Sequence, residues 1–523
     1  EEFNIKPIEI MNKDGTLNGK AGRFKGLYVK KARKTVIEAL KEENKIEKIE
    51  PIKHIVNVHE RCETDIEILT TDQWFIKYLD LKQDFIKYGR KIKWHPEHMR
   101  SRYENWINGL KWDWNISRQR HFGIPIPVWH CKKCNEIILA DENQLPVDPL
   151  VDKPNKKCKC GSNELVPEKD VLDTWATSSL TPDITAELFK TKKIYKNLLP
   201  MDLRPQAHDI ITFWLFNTVV KSYFHHKDIP WKNVMISGWA LDPHGKKMSK
   251  SKGNIVDPGE TLKKYSADAL RFWASGSKLG DDLPFQEKDL VTGQKFITKI
   301  WNASKFAFMH LKAYKRNKPK NLEVIDSWIL SKISRLIKES TQNFMNYEYS
   351  HTKLETDKFF WHTFCDNYLE IIKDRLYNPD KRGKESQSSA QYALYHSLLT
   401  ILKLMAPITP FITEELYHAF YKKHEKSKSI HNTSWPSINL IDNKSEKIGD
   451  FFVYVLQHVR RVKNKKKLSL NMPVKKVISK GKITKADFEK IKLDLYATTN
   501  AEQIIFEPLA KESEIDYEVV VDI

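Results

Sequence analysis

Lys247-Met248-Ser249-Lys250-Ser251-Lys252-Gly253-Asn254 decides how the rest of the chain is read, because it sets three lysines and two serines in six residues between Gly245 and Gly253. Flanking glycines favour a mobile loop over a helix face. Lysine ammoniums are compact charges that neutralise phosphate oxygens, and serine hydroxyls with exposed backbone N–H groups complete such a cradle. A loop of this composition can close over a polyphosphate and stabilise charge as it develops. A solvated surface turn is the alternative, since most basic runs are no more than that.

The neighbours favour a site. Val234-Met235-Ile236-Ser237-Gly238-Trp239-Ala240-Leu241-Asp242 reads as a short strand ending at Gly238, and Asp242-Pro243-His244-Gly245 as the turn into the lysines. Asp257-Pro258-Gly259-Glu260 reads as the start of the next helix. In doubly wound α/β sheets ligands bind beyond the carboxyl ends of strands, so strand, loop and helix put the lysines where a nucleotide belongs. Upstream, Arg204-Pro205-Gln206-Ala207-His208-Asp209-Ile210 is expected at the entry to an apolar helix running through Val219, Val220 and Tyr223. An acidic residue such as Asp209 suits a first turn, while His208 beside it reads as a structural hydrogen-bonding residue. Asp170-Val171-Leu172-Asp173-Thr174-Trp175 joins two carboxylates to an indole, either for acid–base work or as an N-capping cluster.

Four of the six cysteines form two pairs, Cys131 with Cys134 and Cys158 with Cys160. Two thiolate knuckles predict a closed, structural Zn2+ site. The second pair is Cys-x-Cys, so His130 is an alternative for one ligand. His59 and Cys62 have knuckle spacing too, but two ligands make no site, and Cys62 reads as a buried thiol. Ahead of the first pair, Asn115-Ile116-Ser117-Arg118-Gln119-Arg120 carries two cations before the proline-limited strand Ile124-Pro125-Ile126-Pro127-Val128-Trp129. The arginines are either solvated or functional.

Downstream the period changes. Trp361, Phe364, Cys365, Tyr368 and Ile372, and Leu394, Leu398, Ile401, Leu402 and Met405, recur at spacings of three and four, which marks the buried stripes of helices. The tail opens with a helix through Tyr454, Val455, His458 and Val462 that bears Arg460, Arg461, Lys463 and Lys465, a surface for phosphates or a solvated helix end. It continues with a strand from Val474 to Ile478, a helix near Lys485 to Tyr496 and two further strands. A length of 523 residues calls for three or more domains. The net charge of +20 points to a polyanionic partner. No apolar run marks a membrane span, and clustered thiols fit a reducing compartment, so a cytoplasmic protein without membrane contact is expected.

The order Lys247-Met248-Ser249-Lys250-Ser251 followed by Lys252-Gly253-Asn254 resembles the second signature of class I aminoacyl-tRNA synthetases. Ile116-Ser117-Arg118-Gln119-Arg120 with Pro125-Ile126-Pro127-Val128-Trp129, and Met405-Ala406-Pro407-Ile408-Thr409-Pro410-Phe411, are similar to segments of the same family. The Asp-x-x-Asp-Thr-Trp run resembles its valine-specific members, with isoleucine specificity the alternative. The resemblance implies an ATP site with Mg2+ at Gly238, Lys247, Met248, Ser249, Lys250 and Ser251, with Lys247 and Lys250 catalytic. It implies an amino-acid pocket for valine at Trp175, Asp209 and Ile210, where Asp209 takes the substrate amino group. Zn2+ would sit on Cys131, Cys134, Cys158 and Cys160. Arg460, Arg461, Lys463 and Lys465 would contact tRNA-Val.

The implied fold is a multidomain α/β plus all-α chain. Residues 1–62 would be the remnant of a β-rich editing domain. Residues 63–292 would be the second half of a Rossmann-like catalytic domain, with a zinc insertion at 129–168 and the lysine loop at 245–254. Residues 293–445 would be a helical anticodon-binding bundle, and 446–523 a small α/β domain. The chain starts at Glu1 and contains no His-x-Gly-His segment, the family's first signature. It is therefore expected to be a fragment or subunit working with an N-terminal half, or a tRNA-binding subunit without catalysis of its own. The family's hydrolytic editing segment lies earlier, so editing is not assigned to these residues.

Overall fold

A computed structural model describes residues 8–59, 64–510 and 512–523, and the side chain of Ser251 is not described. Cys62, half of the His59–Cys62 pair, lies outside the described residues. The chain divides into two compact units, one drawn from Glu1–Arg90, Tyr103–Pro200 and Thr212–Pro230, the other from Lys91–Arg102, Met201–Ile211 and Trp231–Ile523.

The first unit opens on a turn in which Gly15 takes φ +81°, as the Asn-Lys-Asp-Gly sequence requires, followed by the helix Val29–Glu42. Only Ala32 and Ala39 of that helix are buried. The main packing of the unit is aromatic: Tyr78, Phe85, Tyr103, Phe216 and Tyr223 meet edge to face with centroids 5.4 to 6.1 Å apart. Such edge contacts add to the large area these rings bury. Gly89 permits the packing, since a Cβ there would lie 2.2 Å from the Tyr103 ring. The strand Val128–Cys131 pairs antiparallel with Ile137–Leu139 on one side and Leu165–Pro167 on the other, and this small sheet carries the first cysteine pair.

In the second unit a parallel sheet runs in the order Met201–Ala207, Trp231–Ser237, Lys93–His95. The sequence reading put Arg204 to Ala207 at a helix entry, but they pair with Val234 to Ser237 as a strand. Pro205 is tolerated because this strand lies at the sheet edge, where a missing N–H costs no ladder bond. Beyond the sheet the chain is helical: Glu287–Leu311, Val324–Met345, Tyr349–Lys358, Leu369–Tyr377, Lys384–Met405 and Asn443–Lys465 are the main rods. Their apolar stripes form one core, with Phe364, Tyr368, Ile372, Leu394, Leu398, Ile401, Leu402 and Met405 all fully buried. Each such side chain contributes roughly 1.5–3 kcal/mol relative to exposure.

Two charged residues of the helix Ala267–Ala274 tie it to this bundle. Asp268 accepts from the free N–H groups of Phe411 and Ile412 at the start of the helix Pro410–Ala419, and Arg271 donates to the carbonyls of Pro407 and Ile408. The anion at a helix N-terminus and the cation on carbonyls both follow the peptide dipoles. The tail folds as a three-stranded sheet in which Val474–Gly481 pairs parallel with Ala501–Pro508 and antiparallel with Tyr517–Asp522. The single helix expected near Lys485 to Tyr496 is two, Lys485–Glu489 and Lys492–Thr499.

Candidate active site

The lysine loop is built at the end of the central parallel strand. Gly238 follows that strand, and a Cβ there would lie 2.1 Å from the Asp281 carbonyl oxygen, so only glycine lets the two backbones approach. Trp239 then donates its N–H to Asp282 at 2.7 Å, and Ala240–Leu241 pairs with Leu283–Pro284. Gly245 and Gly253 both take positive φ, +75° and +65°, as a tight loop with ends held together demands.

Asp242 and Asn254 clamp the loop, and sequence reasoning missed both. Asp242 is buried, and its Oδ1 accepts from the N–H groups of Lys246 at 2.8 Å and His244 at 2.9 Å. Its Oδ2 accepts from the Asn254 amide at 2.8 Å, and Asn254 in turn accepts from the Ser249 N–H at 2.9 Å. The Lys246 N–H, the Asn254 amide and the His244 N–H hold the Asp242 carboxyl below its ordinary range. The signal was an aspartate opening an Asp-Pro-x-Gly turn, where its side chain bonds the backbone two residues on.

A group with a depressed folded pKa stabilises above its unfolded value and loses that contribution as pH falls through the folded value. Protection of the Lys246 and His244 amides from hydrogen exchange is therefore expected to persist from neutrality to about pH 4 and to fade below it. Asp242→Ala should abolish it at all pH values while the chain still unfolds cooperatively like the parent. Protection unchanged in that variant would show that the clamp lies elsewhere.

Within the clamp the predicted residues separate by direction. Met248 turns its sulfur to accept from the Val256 N–H at 3.3 Å. Lys250 is exposed on the one-turn helix Lys250–Lys252. Lys247 reaches back, with its Nζ 4.1 Å from the Trp239 ring centroid and 4.0 Å from Asp209 Oδ2. Asp209 and Ile210 occupy the short 3-10 turn His208–Ile210 that follows the edge strand, Asp209 exposed and Ile210 half-buried. His208 is buried, with Nε2 3.3 Å from Asp282, Nδ1 3.4 Å from the Arg102 guanidinium and its ring 4.6 Å from that of Trp239. Asp209, Ile210, Gly238 and the lysine loop thus share the second unit.

Trp175 belongs to the first. It lines a cavity of about 700 Å³ with Trp106, Trp112, Phe213, Arg118 and Asp173. Phe213 stacks on Trp175 with centroids 5.9 Å apart and packs against Trp106 at 5.6 Å. Asp173 is at the N-cap of the helix Thr174–Ser178 but makes no side-chain cap bond. Its carboxylate instead faces Arg118 at 3.4 Å, so the capping reading does not describe it. Phe213 had no local signal, because the five-residue π turn Ile211–Leu215 changes which side chains share a face.

The four cysteines of the two pairs converge: all four sulfurs lie within 4.8 Å of one another, Cys131 and Cys158 buried, Cys134 and Cys160 exposed. Four thiols at this mutual distance fit a tetrahedral Zn2+ with Zn–S bonds of about 2.3 Å. His130 is not part of the cluster; its Nε2 lies 3.0 Å from Glu168, which also accepts from the Trp74 indole.

On the helix Asn443–Lys465 the four basic residues divide. Lys463 is 1% exposed and donates to the carbonyls of Leu470 and Thr499, so its ammonium is turned inward. Arg460 donates to the Asp366 carbonyl at 2.7 Å. Arg461 and Lys465 face outward.

A basic loop clamped by Asp242 at a strand end and a helical bundle are thus joined in one unit, and sequence comparison gives the family. Residues 4–286 match the family of class I tRNA synthetases for I, L, M and V, and residues 326–478 match the anticodon-binding domain of tRNA ligases. The chain belongs to the class I tRNA synthetases, with a catalytic domain of mixed α/β structure and a helical anticodon-binding domain.

Within that class its curated relatives include valine--tRNA ligases. That of Picrophilus torridus is 45% identical over 454 residues, covering 86% of this chain and 57% of the relative, and that of Rickettsia conorii is 40% identical over 526 residues, covering 96% and 63%. The chain thus spans about three fifths of the length of the relatives it matches. Among solved structures, Mycobacterium tuberculosis methionyl-tRNA synthetase in complex with methionyl-adenylate shares the fold at a TM-score of 0.51 and 15% identity, covering 69% of this chain and 65% of that one. No helix among the described residues is long and apolar enough to cross a membrane.

Proposed function

We propose that this chain serves valine–tRNA ligation: activation of valine with ATP and Mg2+ to valyl-adenylate, then transfer to tRNA-Val. The observation that carries the reading is the clamped loop with Lys247 beside Asp209, in a chain 40–45% identical to valine--tRNA ligases over most of its length. Lys247 and Lys250 neutralise the pyrophosphate side as the carboxylate attacks the α-phosphate, while Gly238, Met248, Ser249 and Ser251 shape the ATP cradle. Asp209 binds the substrate ammonium and Ile210 forms a pocket wall. Trp175, backed by Phe213, limits the length of the side chain admitted.

Residues 63–292 act as the catalytic part, 1–62 as the end of an inserted domain, 293–445 as the anticodon-reading bundle and 446–523 as an appendage offering Arg461 and Lys465 to phosphate. The reading puts the protein in the cytoplasm, where clustered free thiols stay reduced. Valine-dependent ATP–pyrophosphate exchange tests the reading. Valine should exceed isoleucine in kcat/KM by about 10–200-fold, the scale of one methylene in an apolar pocket. Equal use of isoleucine would overturn the valine assignment, and exchange indifferent to the amino acid would overturn activation.

Zn2+ fits the Cys131, Cys134, Cys158 and Cys160 cluster, where a closed four-sulfur site supplies structure rather than chemistry. Protein purified under reducing conditions should carry one zinc equivalent, reduced by more than half in Cys158→Ser. Metal-free protein of unchanged thermal stability would sink this assignment.

A further inference from the structure

We infer that Trp239 is a positioning residue that, with Asp209, holds Lys247 in a parked position from which the ammonium group of the amino acid releases it. The inference deepens the proposed function and rests on it. Three observations carry it. Lys247 Nζ stands 4.1 Å from the Trp239 ring centroid, well inside cation–π range. The same Nζ is 4.0 Å from Asp209 Oδ2, the carboxylate assigned to the substrate ammonium. The Lys247 backbone is pinned, bridged to Leu241 and bonded through its carbonyl to the Asn254 amide, so only the side chain has to swing.

Trp239 is itself held from behind. Its backbone N–H is fixed to Asp282, and its ring lies against buried His208, which Asp282 and Arg102 orient in turn. The indole face is therefore a rigid ledge. Asp209 and Lys247 are 37% and 57% exposed in their side chains, so their ion pair is water-screened and weak. A weak pair and a cation–π contact together bias Lys247 by about a factor of ten, enough to sense a ligand and little enough for one to reverse.

One carboxylate cannot serve two ammoniums equally. A substrate ammonium on Asp209 repels Lys247 from it, and the freed charge becomes available to the ATP phosphates. By linkage, ATP must then strengthen amino-acid binding by the same factor.

The test is calorimetric titration of ATP with Mg2+ into the chain, alone and with saturating valinol or isovalerate. Valinol keeps the ammonium and side chain but cannot be activated; isovalerate keeps the side chain and lacks the ammonium. Valinol is expected to tighten ATP about tenfold, the lower range of ordinary coupling, and isovalerate not at all. In Trp239→Leu the affinity for ATP alone should rise and the valinol effect should shrink to about twofold or less, with Trp239→Phe restoring most of the parent behaviour. A purely structural role for Trp239 would weaken ATP binding instead. Equal effects of valinol and isovalerate, or an unchanged valinol effect in Trp239→Leu, would overturn the proposal. Failure of the parent chain to bind ATP at all would overturn this inference, while the valine-dependent exchange assay decides the proposed function separately.

Discussion

Arg375→Ala is expected to destabilise the second unit by about 3–5 kcal/mol, the cost of leaving a buried charge uncompensated. Arg375 is fully buried and grips Asp326, also fully buried, with Nη1 at 2.6 Å from Oδ2 and Nη2 at 3.1 Å from Oδ1. Its Nε lies 3.4 Å from Asp494, an ion-pair contact and not an aligned hydrogen bond. Asp326 also accepts from the Tyr368 hydroxyl at 2.8 Å and from the Ser389 hydroxyl. Burial alone would lower the Arg375 pKa, but the Asp326 and Asp494 carboxylates outweigh it and raise the value above the ordinary range.

Removing the guanidinium leaves the buried Asp326 carboxylate with only the Tyr368 and Ser389 hydroxyls, while Asp494 keeps the Arg382 guanidinium at 2.6 Å. Because Asp494 sits on Lys492–Thr499, the loss should also loosen the appendage from the bundle. Urea unfolding measures the first effect and exchange protection of residues 492–499 the second. Replacing the buried pair with apolar residues, as in Arg375→Met with Asp326→Leu, should recover much of the stability, since a buried pair often contributes little net, and Asp494 keeps its partner Arg382. A single-variant loss below about 1 kcal/mol would mean that water reaches the site.

Lys250→Ala is expected to lower valine-dependent ATP–pyrophosphate exchange by about 10²–10³-fold in kcat, the usual scale for one preorganised group facing developing charge. Lys250 is exposed on a turn capped by Gly253, so its removal should leave folding untouched. Lys250→Arg should recover only part of the rate, because a planar fork is not a point charge. A rise in valine KM with kcat unchanged would instead place Lys250 in ground-state amino-acid binding and refute its assignment to the phosphates.

Much was legible because it was local. The loop's lysines, serines and flanking glycines are contiguous, so their composition alone marked a basic loop, and the structure adds only how it is clamped. Helical stripes such as Leu394, Leu398, Ile401 and Met405 repeat within one element, and period is a property of short windows. The cysteine pairs were readable for the same reason, although nothing in the spacing excluded His130, which the structure gives to Glu168 instead.

What escaped involves partners that the chain order separates. Asp242 was visible as a turn residue, but its grip on Asn254 was not. Lys463 looked like its basic neighbours until the fold turned it onto carbonyls of Leu470 and Thr499. The edge strand read as a helix entry because its preference for a strand comes from pairing with Trp231–Ser237, not from its own residues.

By itself, then, the sequence determined the class of loop, the helical bundle, the thiol cluster and the family, because each is written in neighbouring residues. Only the tertiary structure decided where Lys247 rests, that Phe213 backs Trp175, and that Arg375 binds an aspartate 49 residues away on another helix. Those contacts depend on burial, distance and direction, which no local window contains.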